Sequence, residues 1–113
     1  MPGAELTFHT QPLWQWRTAP LEFDGALGSC AYFNEARSDH PGHSYGQQVE
    51  IFDAIATRNP NFMLWLGDPI YLRPNDVFSS KGIASRYRHV RSFPSLQNLL
   101  RSTHHVAIWD DHD

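Results

Sequence analysis

The sequence predicts an α/β fold, a parallel sheet flanked by helices. Three observations carry that expectation. Two short apolar runs, Phe62-Met63-Leu64-Trp65-Leu66 and His105-Val106-Ala107-Ile108-Trp109, have the length and the β-branched and aromatic content of strands buried on both faces. Segments with helical spacing of apolar residues separate them. Acids gather where each run stops, at Asp68 and at Asp110, Asp111 and Asp113. Buried strands alternating with helices imply parallel pairing, and ligands of such sheets bind beyond the carboxyl ends of the strands.

The elements follow in chain order. Residues 4–10 alternate loosely, with Leu6 and Phe8 on one side, and read as an edge or sandwich strand. Trp14 and Trp16 share a face if Gln11 to Thr18 is extended, and Ala19-Pro20 breaks the pattern. Leu21 to Leu27 reads as a strand ending in Gly28-Ser29-Cys30. Residues 34–46 hold Pro41, Gly42 and Gly46 among polar residues and form a loop that contains His40 and His43. Gln47 to Arg58 is a helix with Val49, Phe52, Ile55 and Ala56 on one stripe, stopped by Asn59-Pro60. After the Phe62–Leu66 strand comes a loop over 67–80. Two helices are expected next, Lys81 to Val90 and Ser95 to Ser102, the second with Pro94 near its first turn. His104-His105 opens the final strand, with ordinary hydrogen bonding as its expected role.

Composition narrows the function. The chain has 113 residues, enough for one small domain at most. A net charge of −3 gives no basic field for nucleic acid or an anionic membrane. The longest apolar run, five residues, is far short of the about 20 a membrane-spanning helix needs. Residues 1–5 show no positive region leading into an apolar one, so no signal peptide is visible. One cysteine, Cys30, cannot close an internal disulfide, and the redox compartment stays open.

Parallel strands point the same way, so the three strand ends are expected to converge. Carboxylates gathered in one place repel unless protons or a cation neutralise them. Asp68, Asp111, Cys30 as thiolate, Tyr71 and a histidine make a mixed oxygen, sulfur and nitrogen donor set. Two metal ions about 3.5–4 Å apart suit phosphoester hydrolysis, because together they polarise a phosphoryl oxygen and activate water. Asp68 is the candidate to lie between them, since Gly67 before it permits a tight turn. A nearby histidine could protonate the leaving oxygen. Singly, each feature has a plainer reading: Gly67-Asp68 as a strand-terminating turn, Cys30 as a small buried residue, Tyr71 as packing, Asp110 and Asp111 as a solvated turn or cap, Arg73 as an ordinary surface cation. Their joint occurrence at three strand ends is the signal.

The segments Gln11–Arg17, Leu27-Gly-Ser-Cys-Ala-Tyr32, Ile51–Ala56, Phe62-Met-Leu-Trp-Leu-Gly-Asp-Pro-Ile-Tyr71 and Thr103-His-His-Val-Ala-Ile-Trp-Asp-Asp-His-Asp113, in that order, make the chain resemble the alkaline phosphatase D (PhoD-like) family of metallophosphatases. The resemblance implies a partial calcineurin-like metallophosphoesterase fold, an incomplete β-sheet flanked by helices, over residues 19–113. Residues 1–18 would be the last strand of an N-terminal β-sandwich and its connection. It implies hydrolysis of phosphomonoesters and phosphodiesters at a centre holding Fe3+ and Ca2+. By motif position, Cys30 and Tyr71 look like iron ligands, Asp68 like the bridging carboxylate, and Asp111 like a metal ligand where related enzymes carry Asn. His112 looks like the catalytic contact to phosphate or leaving group, Arg73 like a weak substrate contact, and Asp110 and Asp113 like supports that orient their neighbours. Pro69 departs from the family's frequent Asn and removes an amide hydrogen. The family continues past the position of Asp113, so the chain is expected to be the first half of the catalytic domain, inactive alone and lacking its C-terminal half as partner. Relatives are often exported; nothing in these residues assigns a location. Two alternatives stand beside this reading: a non-catalytic fragment that docks through apolar sheet surface, and a dinuclear hydrolase acting on another ester.

Overall fold

The computed structural model describes residues 8, 22–35, 39, 42, 46 and 48–113. Six elements follow one another: β1 (Gly25–Gly28), α1 (Ile51–Thr57), β2 (Phe62–Leu66), α2 (Ser80–Arg91), α3 (Pro94–Ser102) and β3 (His104–Ile108). The strands form one sheet in the order β1-β2-β3, and both pairings are parallel. The α/β class and the parallel sheet expected from the sequence are therefore present. The expected sandwich strand at 4–10, the Trp14/Trp16 segment and the His40/His43 pair lie outside the described residues, Phe8 apart.

The register explains which side chains make the core. Leu27 pairs with Leu64, and Leu64 with Val106; Ala26 pairs with Met63, and Met63 with His105. Side chains alternate across a strand, so Met63, Trp65 and His105 share one face. That face is covered. Met63 and Trp65 pack with Phe33, Phe52, Ile70, Val90, Leu96 and Leu99 in a single buried cluster. Phe52 of α1 brings its ring to 6.0 Å from that of Trp65, and α1 packs on α3.

The other face corrects an expectation. The runs at Phe62–Leu66 and His105–Trp109 suit burial on both faces, yet β3 is mostly exposed; β1 alternates between exposed and half-buried. Leu27, Leu66, Val106 and Ile108 remain 65%, 43%, 56% and 53% exposed. An apolar run shows that both faces of a strand suit burial; it does not supply the layer that would bury them. Trp109, read as the last residue of the final strand, lies beyond it and is exposed.

Local chemistry sets the helix limits. The helix expected over 47–58 begins only at Ile51, since the chain is still turning at Gly46, where φ is +69°. It ends as expected: Asn59 takes the left-handed conformation, φ +51°, after the cap at Arg58, and Pro60 follows. α2 gains a start the sequence reading lacked, the Ser79 hydroxyl accepting from the Gly82 amide at 3.0 Å. Gly82 is needed because a Cβ there would meet the Asp76 carbonyl oxygen at 2.4 Å. α3 starts on Pro94, whose missing amide hydrogen costs nothing in a first turn. Among the described residues, no helix is long and apolar enough to cross a membrane.

Candidate metal centre

Because the strands are parallel, their carboxyl ends share a rim, and the three loops that leave it are tied together by backbone bonds. The Cys30 amide donates to the Gly67 carbonyl at 3.3 Å and the Ala31 amide to that of Asp68 at 2.9 Å. On the other side, the Leu72 amide donates to the His112 carbonyl at 3.1 Å. Gly67, φ +91°, is the point of closest approach: a Cβ there would lie 2.6 Å from the Cβ of Asp110. Any other residue would push the β2 and β3 loops apart.

Asp68 sits at the middle of this rim, buried, with its backbone in the left-handed region at φ +50°. Its carboxylate oxygens face different groups. Oδ2 accepts from the Tyr71 hydroxyl at 3.1 Å and from the Cys30 thiol at 3.7 Å. Oδ1 accepts from the His112 amide at 3.2 Å. Cys30 is also left-handed, φ +54°, a conformation that side chains other than Asn and Asp seldom adopt. Strained backbone clusters at functional sites because the surrounding fold must hold it there.

Ligand atoms of Asp68, Asp111 and His112 all lie within 4.8 Å of one another. Asp111 Oδ2 is 3.8 Å from His112 Nε2, and both side chains are open to solvent. The His112 ring stacks on Tyr71, centroids 4.6 Å apart and planes inclined by 28°. Burial, reinforced by hydrogen bonding with Cys30 and Asp68 and by the negative charge of Asp68, raises the Tyr71 phenol well above its ordinary value. It therefore stays protonated and donates to Asp68 unless a cation displaces the hydrogen.

Asp110 and Asp113 hold backbone. One oxygen of Asp113, Oδ2, accepts from the amides of Asp68 and Asp110, each at 3.1 Å. Its other oxygen is buried without a hydrogen-bond partner among the described residues. Asp110 Oδ1 accepts from the Asp111 amide at 2.9 Å. Arg73 is turned toward protein groups: its guanidinium pairs with Asp39 and donates to the carbonyls of Phe33 and Tyr71.

The structure thus brings Cys30, Asp68, Tyr71, Asp111 and His112 to one rim, with Asp110 and Asp113 behind them. The donors could hold a cation: ligand atoms of two carboxylates and an imidazole lie within 4.8 Å of one another, and a thiol and a phenol sit on Oδ2 of Asp68. Sequence reading missed Tyr32 and Asp39, which pack around Tyr71 and Arg73. The Arg73–Asp39 pair spans 34 residues, and no periodicity or motif joins two loops so far apart.

Comparison with known proteins places this rim in context. No family model matches the chain, and no curated protein does. A solved structure of PhoD matches with a TM-score of 0.57 and 22% sequence identity, over 80% of this chain and 18% of that one. The chain spans less than a fifth of the length of the PhoD structure it matches. Its three parallel strands and three helices are similar to part of the PhoD fold, as the partial α/β fold expected from the resemblance requires.

Proposed function

We propose that this chain supplies part of a metal-dependent phosphoester hydrolase centre, of phosphomonoesterase or phosphodiesterase type, with Asp68 at its middle. The observation that carries the reading is the division of Asp68. One oxygen faces Cys30 and Tyr71, and the other faces the loop of Asp111 and His112. A carboxylate placed so can serve two cations at once. Fe3+ suits the side with thiol and phenol, and Ca2+ suits the side with the exposed carboxylate. A bound cation pair would supply Lewis acidity toward a phosphoryl oxygen and lower the pKa of water.

The residues of this chain do the rest. Asp113 pins the Asp68 amide, and Asp110 pins that of Asp111, so the backbone that carries both carboxylates is held in place. Tyr71 shields one face of the His112 ring, and the exposed imidazole is free to give a proton to the leaving oxygen. Because the match covers only 18% of the PhoD structure, hydrolysis is proposed for the assembled centre with ligands from further chain. Cation binding is assigned to these residues themselves.

Two measurements test this. Terbium luminescence, with Tb3+ standing in for Ca2+, should report binding to the wild-type chain. Asp68→Asn should weaken it by more than the roughly 10- to 100-fold lost when a residue that only orients a ligand is removed. In a longer protein that hydrolyses bis-p-nitrophenyl phosphate with added iron and calcium, Asp68→Ala should abolish turnover; retained turnover would overturn the assignment. The open face of the sheet, with Val106 and Ile108 more than half exposed, favours a second reading, a non-catalytic docking fragment. A monomer that binds no apolar dye would rule that reading out.

A further inference from the structure

We infer that Arg73 is a positioning residue: clamped by Asp39, it fixes where Tyr71 presents its ring and hydroxyl to His112 and Asp68. The inference deepens the proposed centre and rests on that reading for its functional meaning, although the clamp itself is a matter of geometry.

The guanidinium is held on every side. Nε donates to Asp39 Oδ1 at 2.9 Å and Nη2 bonds Asp39 Oδ2, a two-pronged pair. Nη2 also donates to the Phe33 carbonyl at 2.8 Å, and Nη1 donates to the carbonyl of Tyr71 itself. Only 12% of the Arg73 side chain and 5% of that of Asp39 remain exposed. Asp39 is braced in turn by the Glu35 amide at 2.8 Å, and the pairing with Arg73 holds its carboxyl far below the usual carboxylate range. A guanidinium with these partners does not face a substrate.

A second contact reaches the Tyr71 ring. Arg73 lies over the Tyr32 ring, 4.8 Å from its centroid. Tyr32 meets Tyr71 edge-on, centroids 5.1 Å apart and planes inclined by 74°. Tyr71 then stacks on His112 and donates to Asp68. Arg73 therefore fixes Tyr71 by its backbone and, through Tyr32, by its ring. The same pair joins the loop that follows Cys30 to the loop that follows Asp68, beyond the backbone bonds that already tie Cys30 and Ala31 to Gly67 and Asp68. Lysine could keep the charge but not the planar fork that reaches Asp39 and two carbonyls together.

The test reads the His112 ring protons by NMR in the chain without metal. Stacking on Tyr71 moves them upfield in the wild type, and Tyr71→Leu gives the value without stacking. Arg73→Lys is expected to bring the shift most of the way to that value and to weaken Tb3+ binding about 10- to 100-fold. Tyr32→Phe, which keeps the ring, should leave the shift in place. An Arg73→Lys protein that loses thermal stability yet keeps the His112 shift and the Tb3+ affinity would overturn the inference, since the pair would then be bracing alone. Should Arg73→Lys not fold, Tyr32→Leu, which loses the same hydroxyl bond to Asp39 as Tyr32→Phe but also loses the ring, must still release the shift; a retained shift would overturn the inference equally. A wild-type chain that shows the stacking shift but binds no Tb3+ would sink the cation centre and leave the clamp standing.

Discussion

His105 shows how one side chain ties the sheet to a helix. Its Nδ1 accepts from the Trp65 indole at 3.0 Å, and its Nε2 lies 3.2 Å from the Leu99 carbonyl, which fixes the neutral ring with hydrogen on Nε2. Burial lowers its pKa, only partly offset by the Leu99 carbonyl. The sign follows. A group that titrates lower in the folded state than in the unfolded one stabilises the fold above its unfolded value, near 6.5. That stabilisation is lost as pH falls through the folded value. Urea denaturation should therefore show a midpoint that declines below pH about 6.5, and His105→Phe should flatten that decline. At this scale much of the candidate centre was legible: Cys30, Asp68, Tyr71, Asp111 and His112 were named by type and motif, and they meet. The left-handed backbone of Cys30 was not legible, because a residue other than glycine gives no sign of φ. Nor were the supports at Tyr32 and Asp39, whose partners are distant in sequence.

Helices and strands were legible where a pattern filled a whole element. The proline near its first turn placed α3, expected over Ser95 to Ser102, to within a residue. The central strand came out as Phe62–Leu66, the run read from the sequence. Starts were harder. α2 was expected from Lys81, but its cap is Ser79, in a Ser-Ser pair where either could serve. Ser79→Ala removes the bond to the Gly82 amide and should cost about 0.5–2 kcal/mol in urea denaturation. Ser80→Ala, one residue along in the helix, should cost well under that. Loss confined to Ser80→Ala would show the helix starting elsewhere.

At the scale of the whole molecule, the described residues form a sheet with helices on one face and an apolar surface on the other. Leu27, Leu64 and Val106 run across all three strands in register, and Leu66 and Ile108 form the next row. Burial of that face was expected from the sequence, and only its apolar half is present, since the covering layer is not contained in the runs themselves. Side chains that stay this exposed contribute little to stability, so Leu27→Lys should change it by no more than about 0.5 kcal/mol. The same substitution should reduce binding of an apolar fluorescent dye; unchanged dye binding would place the dye elsewhere. The bare face also has a colloidal consequence. β1 and β3 are the outer strands among the described residues, and unpaired strand edges beside a greasy surface favour sticking between copies. Solubility, rather than resistance to unfolding, then sets the working concentration, and lysines placed along the bare rows would raise it without touching the acids at the rim.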